Sequence, residues 1–318
     1  METHNINHYT TLMPETQPSE SEPPHDALYL VLAYLPLFDL LSFSQVCTSF
    51  RQAIQYDVLL WLHIYVDKPL STKISDHTLL RIASRANGRI TSLALLNCPR
   101  ITDQGLQRVI YTNPLIEKLY IPGCTGLTPD GVLSAVKSLT TSNHKLKALK
   151  ISNIHNVTKN HLDSLRNFLP PNISSQHSHP AYFHNRNIIS LHQNQNPIPP
   201  IDLDICPKCR EVRTVFDCPR ESCQQKNQQL QCRGCRYCVV RCEECGGCVD
   251  NDDDEVGEEA ACGDTLCLKC WLMFPKCDFC NKAYCKQHAA QGQGCTSAGS
   301  SGFVCSVCLL DENYLEAE

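Results

Sequence analysis

Nineteen of the 22 cysteines fall between Cys206 and Cys308, and their spacing limits what the C-terminal region can fold into. The pattern runs Cys206-x-x-Cys209, Cys218-x4-Cys223, Cys232-x-x-Cys235-x-x-Cys238 and Cys242-x-x-Cys245-x-x-Cys248. After an acidic insert come Cys262-x4-Cys267-x-x-Cys270, Cys277-x-x-Cys280, Cys285-x-x-His288, Cys295 and Cys305-x-x-Cys308. In C-x-x-C, two thiolates on a tight turn can point at one ion, and two such pairs complete a tetrahedral zinc site. Large apolar residues are too sparse here for an ordinary core. A structural zinc supplies roughly 10–16 kcal/mol on forming its site and can replace that core. A disulfide scaffold would use the same cysteines but needs an oxidising compartment. The N-terminal METHNINHYTTLMPETQPSESEPP has neither a basic end nor an apolar core, so no secretory signal is expected. Zinc is therefore the expected cofactor. Iron–sulfur ligation also fits the C-x-x-C-x-x-C runs, but the doubled pairs favour zinc.

All of these cysteines except Cys295, together with His288, are candidate ligands. With Cys295 included the ceiling is five four-ligand sites, and about four ions are expected. The last eight paired ligands suggest a cross-brace, Cys267/Cys270 with Cys285/His288 and Cys277/Cys280 with Cys305/Cys308. That interleaving resembles RING and PHD-type modules, although the ligand order follows neither cleanly. A redox dithiol is open to any single pair, but neighbours that look like ligands argue against it. The insert DNDDDEVGEE (residues 250–259) has seven acidic residues in ten. It reads as a solvated loop and speaks against this region gripping a phosphate backbone.

Residues 26–61, DALYLVLAYLPLFDLLSFSQVCTSFRQAIQYDVLLW, present a second constraint. Leu28, Val31, Leu32 and Leu35 recur at i, i+3, i+4 and i+7, one stripe of a helix. Asp26 stands at the N-cap position, and Pro36 ends the helix by pushing its predecessor out of the α region. Leu40, Leu41, Phe43 and Val46 mark a second helix, and Phe50, Ala53 and Ile54 a third leading to Trp61. Three short amphipathic helices sit at the lower edge of what folds alone, so the surplus apolar face wants a partner. The order Leu35–Pro36, Asp39–Leu41, Val46–Cys47, Phe50–Arg51, then Trp61 resembles the F-box, the adaptor-docking module of cullin–RING ubiquitin ligases. The resemblance implies a Skp-type adaptor as partner, and through it cullin. It carries adaptor contact onto Leu28, Val31, Leu32, Leu35, Pro36, Leu40, Leu41 and Val46. Many F-boxes open with Leu-Pro; here the segment opens Pro23-Pro24-His25-Asp26.

Between these regions lies a repeat: TSLALLNCPRITDQGL (91–106), EKLYIPGCTGLTPDGV (117–132) and KALKISNIHNVTKNHL (147–162). Leu93, Leu119 and Leu149 correspond, then Leu95, Ile121 and Ile151, then Thr102, Thr128 and Thr158. The first two units share Cys98/Cys124 and Gly105/Gly131. A partial unit precedes them, Leu62 and Ile64, then Ile74, Asp76 and Leu79. The L-x-L-x-x-C pattern resembles cysteine-containing leucine-rich repeats, each giving a strand and then a helix after the Thr-x-x-Gly turn. The cysteine there reads as a small buried residue supporting the turn. So short an array needs caps at both ends. Residues 170–200, rich in Asn, His, Gln, Ser and Pro, read as a linker; His177, His179, His184 and His192 show no ligand spacing.

The expected fold is multidomain α+β. A helical F-box (25–66) precedes a short α/β leucine-rich-repeat solenoid (67–169), a linker (170–203) and an irregular zinc-stabilised Cys-rich domain (204–310). Tails cover 1–24 and 311–318. The net charge of −5 gives no electrostatic case for nucleic acid, and no run is long and apolar enough for a membrane span. Reduced thiols fit nucleus and cytoplasm alike. The order of parts most resembles plant F-box proteins of the Skp-interacting-partner type, with ITDQGL, PGCTGLTPDGV and DICPKC carrying the closer match. That resemblance implies a non-catalytic substrate-recognition subunit of a Skp–cullin–F-box ubiquitin ligase. No Ser/His/Asp set, Gly-rich phosphate loop or isolated activated Cys appears. Two other readings stand beside it. In one, residues 267–308 form a RING that recruits a ubiquitin-conjugating enzyme directly. In the other, the tail is a zinc-dependent chromatin- or nucleic-acid-binding module.

Overall fold

A computed structural model describes residues 25–141, 146–169, 181–183, 200–225, 232–249, 258–284, 304, 305 and 308. They divide into two compact units that part at Leu60 and Trp61.

The first unit holds α1 (Ala27–Val31), α2 (Leu37–Phe43) and α3 (Thr48–Tyr56). A 3-10 turn, Leu32–Tyr34, follows α1, and Leu35 is extended before Pro36, as a pre-proline residue must be. Asp26 does not cap α1 with its side chain; the Ala27 N–H donates instead to His25 Nδ1 at 3.1 Å. Cys47 caps α3, its Sγ accepting from the Phe50 N–H at 3.5 Å. Phe50 is the hub, with ring centroids 5.4 Å from Tyr29 and 5.6 Å from Phe43. Leu32, Leu40 and Ile54 are buried with it.

In the second unit, strands β1 (His63–Val66), β2 (Ser92–Leu95), β3 (Lys118–Tyr120) and β4 (Ala148–Lys150) form a parallel sheet in sequential order. Each strand is followed by a helix: α4 (Asp76–Ala83), α5 (Asp103–Thr112), α6 (Pro129–Thr141) and α7 (Lys159–Phe168). Side chains alternate along a strand, so Leu93, Leu119 and Leu149, paired in register, all face the helices and are fully buried. The first repeat is complete rather than partial. Ile64 pairs with Leu93 and Val66 with Leu95, so its L-x-L equivalent is Ile64-x-Val66, two residues on from Leu62-x-Ile64. Apolar alternation alone fits both frames; ladder register chooses one.

Shortly after β2, β3 and β4 comes a left-handed residue, Asn97, Gly123 or Asn153 respectively, the residue types that tolerate positive φ. The next position is Cys98, Cys124 or Ile154, all buried. Polar rungs join successive units. Asp76 accepts from the Thr102 N–H at 2.9 Å and its hydroxyl at 2.6 Å. Asp103 does the same for Thr128 at 2.9 and 2.6 Å. At the next interval Pro129 displaces the acid by one position, and Asp130 meets His161 Nε2 at 3.3 Å instead.

The open edge of β4 is closed by residues 200–202. Leu149 N–H donates to the Pro200 carbonyl at 2.7 Å, and Ile201 forms a parallel bridge. Asp202 accepts from the Ile151 and Ser152 N–H groups at 2.8 and 3.1 Å. Burial pushes its carboxyl above the usual range, and those N–H groups oppose the shift. The chain then enters the Cys-rich region directly. Asp204 pairs with Arg166 of α7 at 2.8 Å and with Arg233 at 3.1 Å. Two described pieces of the stretch read as a linker are thus packed: 200–203, and 181–183, where Phe183 meets Phe216 edge-on at 5.1 Å.

Candidate functional site

The described Cys-rich residues contain two short helices, Glu221–Gln225 and Leu268–Met273, and two-residue antiparallel pairs: β5 (Asp204–Ile205) with β6 (Val212–Arg213), β7 (Val215–Phe216) with β8 (Gly234–Cys235), and β9 (Glu258–Glu259) with β10 (Thr265–Leu266). These pairs position knuckles. In three of them the residue after the second Cys is left-handed, and its N–H returns to the carbonyl of the first: Arg210 to Cys206, Gly246 to Cys242, Asn281 to Cys277. That closure aims both thiols of a C-x-x-C the same way.

Sixteen thiols gather into four groups, each with all sulfurs within 4.8 Å of one another. The first is Cys206, Cys209, Cys235 and Cys238; the second Cys218, Cys223, Cys232 and Cys248; the third Cys242, Cys245, Cys267 and Cys270; the fourth Cys277, Cys280, Cys305 and Cys308. A tetrahedral ion with about 2.3 Å metal–sulfur bonds sets sulfurs about 3.8 Å apart. Cys209–Cys235 is 3.9 Å, Cys218–Cys248 3.7 Å, Cys245–Cys267 3.8 Å and Cys280–Cys305 3.8 Å. Disulfides lie near 2 Å and are ruled out by those separations. Four sulfurs in each group leave no open ligand position, which suits a structural ion rather than a catalytic one.

Electrostatics agree. In each group the first cysteine is held below the usual thiol range. Burial pushes Cys206 up, but the backbone N–H groups of Cys209, Cys235 and Lys208 outweigh it and bring the thiol to about 6. Cys277 reaches about 6 against burial in the same way. The hydrogen bond shared with Cys248 lowers Cys218 to about 4, and that shared with Cys245 lowers Cys242 to about 4. The neighbours then rise: burial and Cys232 take Cys223 to about 11, and burial with the charge of Cys242 takes Cys270 to about 12.

The grouping corrects one half of the expected cross-brace. Cys267/Cys270 join Cys242/Cys245, while Cys277/Cys280 do join Cys305/Cys308. Cys285, His288 and Cys295 lie outside the described residues. Cys262 belongs to none of the four groups; its Sγ is 3.4 Å from Asp264 Oδ2. Both C-x-x-C-x-x-C runs are split, the second group taking Cys232 from one and Cys248 from the other.

Two arginines that spacing did not single out bind this arrangement together. Arg241 is buried and donates to the carbonyls of Phe216 (2.8 Å), Asp217 (3.3 Å), Gly246 (3.4 Å) and Cys232. Arg220 lies over Gly247, where a Cβ would stand 2.6 Å from its Nε. Burial lowers Arg220, but the thiolates of Cys248, Cys267, Cys245 and Cys218 outweigh it, so it serves the second and third groups together. A lone cation set between Val239-Val240 and Cys242 was the signal available for Arg241.

In the first unit the structure divides the residues assigned to adaptor contact. Leu28, Val31, Pro36 and Val46 are exposed, Leu35 and Leu41 half-buried. Leu32 and Leu40, 3% and 4% exposed, face inward and hold the helices together. Leu30, Tyr34, Phe38, Tyr56 and Leu59 add exposed apolar area that spacing had not assigned. That is a large unsatisfied surface for so small a unit.

Comparison with known proteins places these features. The F-box domain family matches residues 24–62, and the family described as the At3g27290 F-box protein C-terminal domain matches residues 202–279. The chain is 41% identical to F-box protein SKIP28 of Arabidopsis thaliana, covering 94% of each. It is 35% identical to F-box protein SKIP14 of the same plant, over 79% of this chain and 55% of that one. It is 32% identical to F-box protein At3g27290, over 73% and 62%.

Proposed function

The chain belongs to the F-box proteins, of the plant Skp-interacting-partner type, and we propose that it is the substrate-recognition subunit of a Skp–cullin–F-box ubiquitin ligase. An F-box unit in general docks an adaptor without doing chemistry. The observation that supports this use here is the exposed apolar set on the first unit, Val31, Tyr34, Phe38 and Val46 above all. Ubiquitin transfer then belongs to the cullin's own RING subunit and its conjugating enzyme. Cullin and target protein follow as partners through that role.

The remaining parts present the target. Residues 63–168 are read as a short leucine-rich-repeat solenoid closed at its C-terminal edge by 200–202. The four thiol groups are read as four structural zinc sites, since soft thiolates in tetrahedral array select zinc over hard cations. Cys206, Cys218, Cys242 and Cys277, whose thiols are held below the usual range, would readily offer charge to the ion. No described helix is long and apolar enough to cross a membrane. Nucleus and cytoplasm remain the proposed compartments because free thiolate sites need a reducing milieu. The direct-RING reading loses support, because the third and fourth groups follow one another along the chain instead of interleaving.

Co-purification of the full chain with a Skp adaptor tests the reading, wild type against Val31→Asp with Val46→Asp. Capture by wild type and its loss in the variant is expected. Failure of folded wild-type chain to capture the adaptor would overturn it.

A further inference from the structure

The first thiol group differs from the others in what surrounds it. Its two knuckles carry Lys208, Arg210, Arg236 and Tyr237, and Arg213 of β6 lies beside them. Corresponding knuckle positions are Glu243 and Glu244 in the third group and Asp278 and Phe279 in the fourth. A tetrathiolate site therefore does not demand the excess cations of the first. Tyr237 is 73% exposed, and its ring is stacked by two guanidinium groups, Arg213 at 4.6 Å and Arg236 at 5.9 Å. The Lys208 stem lies along Gly234, where a Cβ would meet its Cδ at 3.4 Å. Among the described residues no carboxylate pairs with Lys208, Arg210, Arg213 or Arg236, and Arg213 Nε is buried without a hydrogen-bond partner. Nearby Arg233 is different, satisfied by Asp204 and Asp217. Glu211, between the first knuckle and β6, is the one acidic residue in 206–213 and 235–238.

We propose that this face, centred on Tyr237, binds a short acidic segment of a partner protein, and so takes hold of the substrate. The proposal rests on the receptor reading above and names the substrate's chemistry. Guanidinium groups held by stacking present their forks to carboxylates or phosphates and lose little side-chain freedom on binding. The exposed phenol ring supplies apolar contact at the centre. A nucleic acid suits the face less well. Phosphate backbones are gripped by long basic stripes, whereas this patch spans two knuckles, and the same region carries seven acids in residues 250–259.

The test is fluorescence anisotropy of a fluorescein-labelled peptide of alternating Asp and Glu, titrated with full chain bound to its adaptor at physiological salt. Saturable binding is expected, weakened about tenfold by Arg213→Gln with Arg236→Gln. Lys73→Gln with Lys137→Gln, cations elsewhere in the unit, should leave it unchanged. Metal content is read on every sample. If the double variant loses metal, the exposed Arg236→Glu alone serves in its place. Absence of saturable binding, binding that the Arg variants leave intact, or tighter binding of oligothymidylate than of the peptide would each overturn the proposal. Adaptor capture, read on the same samples, reports separately on the receptor reading.

Discussion

Gly105 lies against Asp76 so closely that a Cβ on it would stand 2.0 Å from Asp76 Oδ1. Gly131 stands in the same relation to Asp103, again at 2.0 Å. Each glycine sits in the first turn of a helix and leaves room for the carboxylate of the preceding unit, which grips the Thr at that helix's N-cap. The Thr-x-x-Gly of the repeat is thus a stacking device between units. Thr supplies the cap within its own unit and the donor to its neighbour.

Gly105→Ala should therefore destabilise the second unit by about 1–2 kcal/mol through displaced hydrogen bonds, and lower Tm by several degrees. Asp76→Ala should cost a similar amount. The two together should cost little more than either, since both remove one contact. Additive Tm shifts would disprove the steric link.

Thiol grouping makes a stoichiometric prediction. Cys245→Ser with Cys270→Ser strikes one group and should lower bound zinc by one ion per chain. Cys245→Ser with Cys280→Ser strikes two and should lower it by two. Native mass spectrometry distinguishes these outcomes, and equal loss in both variants would reject the grouping.

Arg241→Met strands four carbonyls that its guanidinium now serves, at a cost of about 3 kcal/mol or more. Arg241→Lys should recover little, because a compact ammonium cannot span them. Faster metal release to a colorimetric chelator in both variants is the expected readout.

Stripping metal should unfold the Cys-rich region while leaving adaptor capture intact, since the first unit is separately compact and contains none of the four thiol groups. Circular dichroism with adaptor pull-down after chelation checks both halves. Loss of capture on chelation would show that the units depend on one another.

Much was legible along the chain because it is local. Pro36 holds Leu35 extended and so ends the turn that follows α1, Thr102 and Thr158 cap helices, and the L-x-L strands follow a period that any window of residues displays. Knuckles were legible for the same reason: C-x-x-C with a left-handed residue after it closes its own backbone hydrogen bond. The frame of the first repeat was less so, since Leu62-x-Ile64 and Ile64-x-Val66 carry the same alternation.

By itself, then, the sequence determined that the chain is an F-box protein with a β–α repeat and thiol pairs spaced for metal. Only tertiary structure decided which thiols share a site, that Leu32 and Leu40 face inward, and that Arg241 ties neighbouring groups together. The physical reason is the range of the interactions. A cap, a stripe or a knuckle is fixed by neighbours within a few residues. Cys218 meets Cys248 only because β7 pairs with β8 and Arg241 holds the carbonyls between them, and spacing in the chain does not encode that pairing.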